Sequence, residues 1–167
     1  TLRQNTVVAT VMSNLGLELA LRDLGIKLLR TEVGDRYVVE QMLAGGHNLG
    51  GEQSGHIVFL DHNTTGDGAI TCLQVLALLM EKGKRLSELR KVMTRLPQVL
   101  INVRVKEKKS FSGMPRVQQT MATVQKELRE RGRMLVRYSG TELLARVMLE
   151  GENEDKVKQM AGEIADA

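Results

Sequence analysis

The sequence contains few cysteine, proline and aromatic residues and no tryptophan. Because Cys72 is the only cysteine, no disulfide can form within the chain, and its apolar helical surroundings predict a buried thiol. The aromatic residues number only four, which leaves little material for stacking on nucleic acid bases. They are Tyr37, Phe59, Phe111 and Tyr138.

Long apolar runs are also missing. The longest, at residues 75–80, is far shorter than the ~20 residues needed to span a bilayer, and no signal-peptide pattern opens the chain. The net charge of +4 divides into 11 basic and 10 acidic residues before position 97 and 13 and 10 after it. Neither half is a strongly basic module, so we expect a cytoplasmic protein with neither a nucleic acid nor a membrane partner.

The first half of the chain has a β-α-β order. A β-branched run at residues 6–11 predicts a strand, and Ser13 and Asn14 are good N-cap residues for a helix that ends near Leu24. A short apolar strand at residues 26–29 completes the unit, which predicts an α/β domain with a mixed sheet and flanking helices. Further apolar patterns predict a helix, a strand and two helices at residues 38–43, 57–60, 69–82 and 86–93.

Pro97 marks a boundary, since proline cannot continue the preceding helical pattern. The chain then reads β-α-β-β-α, which predicts a small α+β domain with an antiparallel sheet and helices on one face. These elements are expected at residues 99–105, 116–131, 133–136, 145–149 and 155–165. The predicted domains are therefore residues 1–96 and 97–167, and the lack of an initiator methionine suggests a fragment of a longer protein.

One polar motif lies before the strand at residues 57–60. If this segment is extended, Glu52, Ser54 and His56 project to one side about 7 Å apart, where they could bond the vicinal hydroxyls of a sugar. Spacing alone favours the alternative of a glycine-rich turn with a polar edge, and a lone histidine is more often structural than a base.

A second polar motif lies between the two predicted strands at residues 133–136 and 145–149. Gly140 permits a positive φ and close approach of an anion, while the hydroxyls of Ser139 and Thr141 add donors. Arg137 and Arg146 flank this segment, and a guanidinium group can donate hydrogen bonds to two phosphate oxygens at once. The alternative of an ordinary polar hairpin with surface arginines stays open here.

Other polar residues receive simpler interpretations. Asp35 is a plausible N-cap, and Arg36 lies where a helix N-terminus could help it hold a phosphate. Asp61 begins a sequence that mimics a calcium-binding loop, but Cys72 stands at its twelfth position, so no metal site is expected. The lysine cluster at residues 106, 108 and 109 is interpreted as a solvated strand end.

Residues 51–56 and 137–142, Gly-Glu-Gln-Ser-Gly-His and Arg-Tyr-Ser-Gly-Thr-Glu, together resemble the signatures of the α-D-phosphohexomutase family. With residues 10–18 and 33–38, the resemblance covers the whole chain and is strongest to the bacterial amino-sugar branch. It implies the third and fourth domains of a four-domain enzyme that interconverts 6-phospho and 1-phospho sugars through a bisphosphorylated intermediate. Its phosphoserine and Mg²⁺ site belong to the missing N-terminal domains, because no catalytic serine motif and no Asp-x-Asp-x-Asp run occur here.

The resemblance also assigns roles. Glu52 and Ser54 would bind the sugar hydroxyls of a phosphosugar, with His56 as a positioning or proton-handling group. The phosphate that is not reacting would be bound by Arg137, Ser139, Gly140, Thr141 and Arg146.

No residue of this chain is expected to be catalytic in the strict sense, so the isolated chain is predicted to be inactive. Many relatives have proline where Leu143 stands, which leaves the geometry of the turn open. The alternatives of a mannose- or glucose-phosphate enzyme, and of a phosphosugar-binding module without chemistry, also stay open.

Overall fold

The computed structural model describes the backbone of all 167 residues and every side chain except that of Glu130. The chain forms two compact units, Thr1–Arg95 and Leu96–Ala167, which are described separately. The first unit contains β1 (Thr6–Thr10), α1 (Leu15–Asp23), β2 (Lys27–Thr31), α2 (Asp35–Gly45), β3 (Leu49–Gly51), β4 (Ile57–Phe59), α3 (Gly68–Lys82) and α4 (Leu86–Leu89). The second contains β5 (Gln98–Arg104), α5 (Pro115–Leu128), β6 (Arg133–Tyr138), β7 (Leu144–Glu150) and α6 (Glu154–Ala165).

The first unit is built on a four-stranded mixed sheet with the order β2-β1-β3-β4. Strand β1 runs parallel to β2 and β3, and β4 is antiparallel to β3, so the predicted mixed sheet is confirmed. Four fully buried side chains form its core, Val8, Val38, Met42 and Val58. A Cβ at Gly50 would lie 2.5 Å from the Met42 sulfur, so a residue without a side chain lets α2 pack on β3.

Two helices of this unit, α1 and α3, begin at an N-cap residue whose side chain accepts a hydrogen bond. The side chains of Asn14 and Asp67 each accept a hydrogen bond from the first turn of the helix that follows. Asp35 is not the N-cap of α2, because that position is taken by Gly34, at φ 136°. The Asp35 carboxylate instead accepts from the Arg36 N–H at 2.8 Å, inside the first turn.

Helix α3 departs from expectation in its burial. None of its residues is buried, and Cys72 is exposed, so the prediction of a buried thiol is wrong. An apolar helical pattern shows that a face could be covered, but it does not show what covers it. In the first unit, Leu73, Leu76 and Met80 of α3 are exposed.

The second unit is a three-stranded antiparallel sheet with the order β5-β7-β6. As predicted, α5 and α6 pack with one face of this sheet around a core of Val124, Leu128, Val147, Leu149, Val157, Met160, Ala161 and Ile164. Glu150 on the central strand is fully buried and pairs with Arg133 at 2.6 Å. Among the described residues, no helix is both long and apolar enough to cross a membrane.

Candidate functional site

The first polar motif forms the tight turn of the β3–β4 hairpin. The backbone N–H of Glu52 donates to the His56 carbonyl at 2.8 Å, and the N–H of Gly55 donates to the Glu52 carbonyl at 3.1 Å. The glycine-rich turn, which spacing alone favoured, is therefore confirmed, and the extended alternative does not form. Glycine is required on both sides of the turn, since a Cβ at Gly51 would lie 2.7 Å from the His56 carbonyl and Gly55 has φ 106°.

Glu52 links this hairpin to the start of α2. Its carboxylate is 12% exposed, and Oε1 accepts a hydrogen bond from the Gly34 N–H at 3.0 Å. The positive φ of Gly34 explains why a glycine occupies this contact position. One carboxylate oxygen is thus held by the protein, which orients the other.

The turn gathers the three predicted side chains around one imidazole nitrogen. His56 Nδ1 lies 3.9 Å from Glu52 Oε2 and 3.5 Å from Ser54 Oγ, and the imidazole is 60% exposed. A carboxylate, a hydroxyl and an imidazole can together accept from and donate to neighbouring hydroxyl groups. The turn brings them closer to each other than the spacing expected for an extended strand.

A cleft of about 810 Å³ opens beside this turn, within the first unit. The backbone and side chains of Glu52, Gln53 and Ser54 line one part of it, and Arg95 lines another. Apolar residues of β1, including Val8, form much of the remaining wall. Clefts of this size with a few convergent polar groups are typical of small-molecule sites. Gln53 lies inside the first polar motif but was given no role, and Arg95 was not predicted, because no motif surrounds it.

Arg36 is not brought to this turn by any contact among the described residues. Its side chain is 80% exposed and pairs with Glu40 one helical turn along α2, at 2.7 Å. The hydrogen bond that Arg36 donates to Glu40, and the negative charge of Glu40, raise the pKa of Arg36. A phosphate-binding role for Arg36 stays a prediction.

The second polar motif forms the turn of the β6–β7 hairpin, where the Ser139 N–H donates to the Leu144 carbonyl at 2.8 Å. Arg137 on β6 and Arg146 on β7 lie directly opposite each other in the register. Like charges in opposite positions destabilise a strand pair. The Nε atoms of both arginines are buried and have no hydrogen-bond partner among the described residues. This pair is costly in the free protein, and an anion bound between the guanidinium groups would offset that cost.

Ser139 is buried at the base of the same turn. Its Oγ accepts from the Glu142 N–H at 3.3 Å and lies 3.4 Å from Nη2 of Arg146. The Glu142 carboxylate accepts from the same Nη2 at 3.2 Å. The Glu142 carboxylate therefore already pairs with one nitrogen of the Arg146 guanidinium group.

Gly140 does not use the positive φ that a glycine permits. A Cβ at Gly140 would meet no atom within 4 Å. Neither backbone strain nor internal packing therefore requires glycine at this position. Close approach of a ligand to the main chain is the remaining physical reason, and Thr141 beside it is also exposed.

Lys108 belongs to the same region and was missed. Its Nζ donates to the carbonyls of Ser139 at 2.6 Å and Gly140 at 3.1 Å, contacts that were not predicted, while the residue itself is exposed, as expected of a solvated strand end. The contact spans 31 positions in sequence and leaves no local signal. The segment is further fixed by the Tyr138 hydroxyl, which donates to the Lys109 carbonyl at 2.7 Å, and by stacking of Phe111 on Tyr138.

The described side chains do not fit a metal centre. No group of three or more histidine, cysteine, aspartate or glutamate residues among them could hold a metal ion. The polar groups at the turn of the second unit are instead arginines, hydroxyls and backbone N–H groups.

A mixed-sheet unit followed by an antiparallel unit, each with a polar hairpin, is the architecture of the C-terminal part of phosphohexomutases. The Aspergillus fumigatus N-acetylphosphoglucosamine mutase in complex with GlcNAc-6P and magnesium superposes with a TM-score of 0.76 at 22% identity, over 96% of this chain and 40% of that chain. The N-acetylglucosamine-phosphate mutase described as a member of the alpha-D-phosphohexomutase superfamily, in its substrate complex, gives 0.75 at 21%, over 96% and 38%.

The chain belongs to the phosphoglucomutase/phosphomannomutase family. Residues 1–96 match its alpha/beta/alpha domain III, and residues 100–167 match its C-terminal domain. The phosphoglucosamine mutase of Geobacter metallireducens is 59% identical over 99% of this chain and 37% of its own length, and that of Syntrophotalea carbinolica is 56% identical over 99% and 36%. The chain thus spans little more than a third of these curated relatives, and the family resemblance noted in its sequence is confirmed.

Proposed function

We propose that this chain is the C-terminal part of a phosphoglucosamine mutase, which converts glucosamine 6-phosphate to glucosamine 1-phosphate for amino-sugar precursors of the cell wall. The identity of 59% to a relative of that name supports this choice of sugar. The chain would supply substrate recognition, and the phosphoryl transfer itself would depend on the preceding domains of the same protein.

The second unit would bind the phosphate of the phosphosugar. The observation that carries this role is the opposed pair of Arg137 and Arg146, each with a buried Nε that lacks a partner among the described residues. One guanidinium group can donate two parallel hydrogen bonds to two oxygens of the same phosphate. Ser139 and Thr141 would add hydroxyl donors, and Gly140 would leave the main chain open to the anion.

The first unit would bind the sugar hydroxyls. The Gly34 N–H already orients the Glu52 carboxylate. Its second oxygen can therefore accept from a sugar hydroxyl without the entropy cost of first ordering the side chain. Ser54 and His56 would complete the contact, with His56 as a positioning or proton-handling group. We further propose that Arg36 contributes only after it leaves Glu40, since that ion pair now engages its guanidinium.

Separate binding of the phosphate and of the sugar hydroxyls suits a mutase. A sugar that presents either of two ends to one phosphoryl donor must be held by the end that does not react. Binding energy from that remote phosphate then contributes to alignment at the reacting centre, on which phosphoryl transfer depends. The parent protein would require Mg²⁺ and a phosphoserine from its preceding domains, with a bisphosphorylated sugar as intermediate.

A titration of the ¹⁵N-labelled chain tests both recognition roles separately. We expect inorganic phosphate to shift the backbone amides of residues 139–142, and glucosamine 6-phosphate to shift these and also residues 52–56. Absence of any shift at residues 139–142 with either ligand would overturn the phosphate role. Shifts at residues 139–142 alone would overturn the sugar role of the first unit.

A turnover assay tests the assignment of chemistry. We expect the 167-residue chain to show no conversion of glucosamine 6-phosphate, and the parent protein with Mg²⁺ to show it. Conversion by the chain alone would contradict the proposal.

The family also includes phosphomannomutases and phosphoglucomutases, which makes a mannose or glucose phosphate the second candidate substrate. The ratio of kcat/KM for the three hexose phosphates on the parent protein decides between them.

A further inference from the structure

Lys108 is the one lysine of its cluster that contacts the β6–β7 turn among the described residues. Its ammonium group lies between two consecutive carbonyl oxygens, 2.6 Å from that of Ser139 and 3.1 Å from that of Gly140. Lys109 pairs instead with Glu107 at 2.6 Å. An ammonium group with two carbonyl acceptors fixes the planes of two successive peptide groups at once.

The peptide planes determine where the N–H groups of the turn point. No peptide bond in the chain is cis, so each N–H points away from the carbonyl of its own peptide group. The carbonyls of Ser139 and Gly140 face Lys108, and the N–H groups of Gly140 and Thr141 therefore point to the opposite side. Neither N–H has an acceptor among the described residues, and the space next to Gly140 is open.

The ammonium charge also strengthens those donors. A carbonyl that accepts from a cation polarises its own peptide group, and the N–H of that group becomes a better donor. Two adjacent N–H groups on one side of a turn are a common anion-binding arrangement.

We propose that Lys108 is a positioning residue for phosphate binding, which holds the Gly140 and Thr141 N–H groups toward a phosphate oxygen of the phosphosugar. The proposal rests on the proposed phosphate role of the second unit. Lys108 acts from the far side of the turn and through the main chain, so it does not itself contact the phosphate.

The test compares Lys108→Met with Lys106→Met in the 167-residue chain. Both variants remove one positive charge, but among the described residues only Lys108, and not Lys106, donates to the turn carbonyls. Inorganic phosphate is the probe, and ¹⁵N NMR gives its Kd and the amide shifts of Gly140 and Thr141. We expect about tenfold weaker binding for Lys108→Met, with both amide shifts moved in the free protein, and a change below about twofold for Lys106→Met.

Lys108→Arg provides the rescue, since it keeps a charged donor, and we expect its affinity within about threefold of the original. If Lys108→Met does not fold, Lys108→Gln replaces it under the same criteria. Equal affinities for the variants at positions 108 and 106 would overturn the proposal and leave the phosphate role intact. Failure of the unaltered chain to bind phosphate at residues 139–142 would overturn both.

Discussion

Replacement of Arg137 by methionine should change stability and phosphate affinity in opposite directions. Arg137 lies opposite Arg146, and a like-charge pair in that position costs about 0.2–1 kcal/mol. Its buried Nε lacks a hydrogen-bond partner among the described residues, whereas methionine keeps much of the apolar stem. We therefore expect the free energy of unfolding of Arg137→Met to be unchanged or higher by up to about 1 kcal/mol.

Phosphate binding should weaken in the same variant. Loss of a charge-assisted contact costs about 1.5–3 kcal/mol, which corresponds to roughly 10- to 150-fold in Kd. Thermal unfolding with and without phosphate measures both the stability of the free chain and its phosphate affinity. Phosphate at a hundred times Kd stabilises the unaltered chain by about 2.7 kcal/mol, and the same phosphate concentration should stabilise the variant far less.

Arg137→Lys is the matched control, because it keeps the charge and loses the planar fork. We expect its affinity to lie between those of the unaltered chain and Arg137→Met. A methionine variant that binds phosphate as well as the unaltered chain would refute the reasoning and restore the interpretation as an ordinary polar hairpin. A large loss of stability would show that Arg137 is structural.

Three further predictions concern the fold. Glu150→Ala should lower the free energy of unfolding by about 3–5 kcal/mol in urea denaturation, because it removes the buried carboxylate that accepts from Arg133 and Gln98, whereas the exposed Glu152→Ala should cost less than about 1 kcal/mol. Gly50→Ala should cost about 1–3 kcal/mol in the same assay, since its Cβ would overlap the Met42 sulfur. Cys72 should react with a thiol reagent in the folded chain about as fast as in urea.

Each of these has a contradicting result. Equal costs at positions 150 and 152 would mean that the buried pair adds no stability. A neutral Gly50→Ala would mean that α2 does not pack closely on β3. Slow alkylation of Cys72 in the folded chain would mean that α3 is covered.

Apart from β3, which no apolar pattern marks, the order of elements could be predicted because the local signals agreed with each other. Asn14 and Asp67 are capping residues that act within one helical turn, and their contacts depend on no distant part of the chain. The alternating apolar residues of β5 likewise indicate which face of the strand is covered. Both sheets, mixed and antiparallel, follow from these signals and the expected connections.

The errors occurred where the outcome depends on distant residues or on two competing local conformations. At Glu52 and His56 an extended chain and a turn were both open, and the glycines at positions 51 and 55 decide for the turn. The role of Lys108 depends on a contact across 31 positions. Burial of Cys72 depends on what lies over α3, which helical periodicity does not specify.

The candidate residues were found because the segments at residues 51–56 and 137–142 together resemble signatures of the α-D-phosphohexomutase family. What the sequence could not show is the register that places Arg137 opposite Arg146, since it depends on how β6 and β7 align. That alignment is the strongest physical argument for an anion at this hairpin.

A crystal structure of the chain with glucosamine 6-phosphate tests the central claim most directly. We expect the phosphate oxygens at about 2.7–3.2 Å from the guanidinium groups of Arg137 and Arg146 and from the N–H of Gly140. A phosphate bound away from the β6–β7 turn, with both arginines unchanged, would contradict the claim.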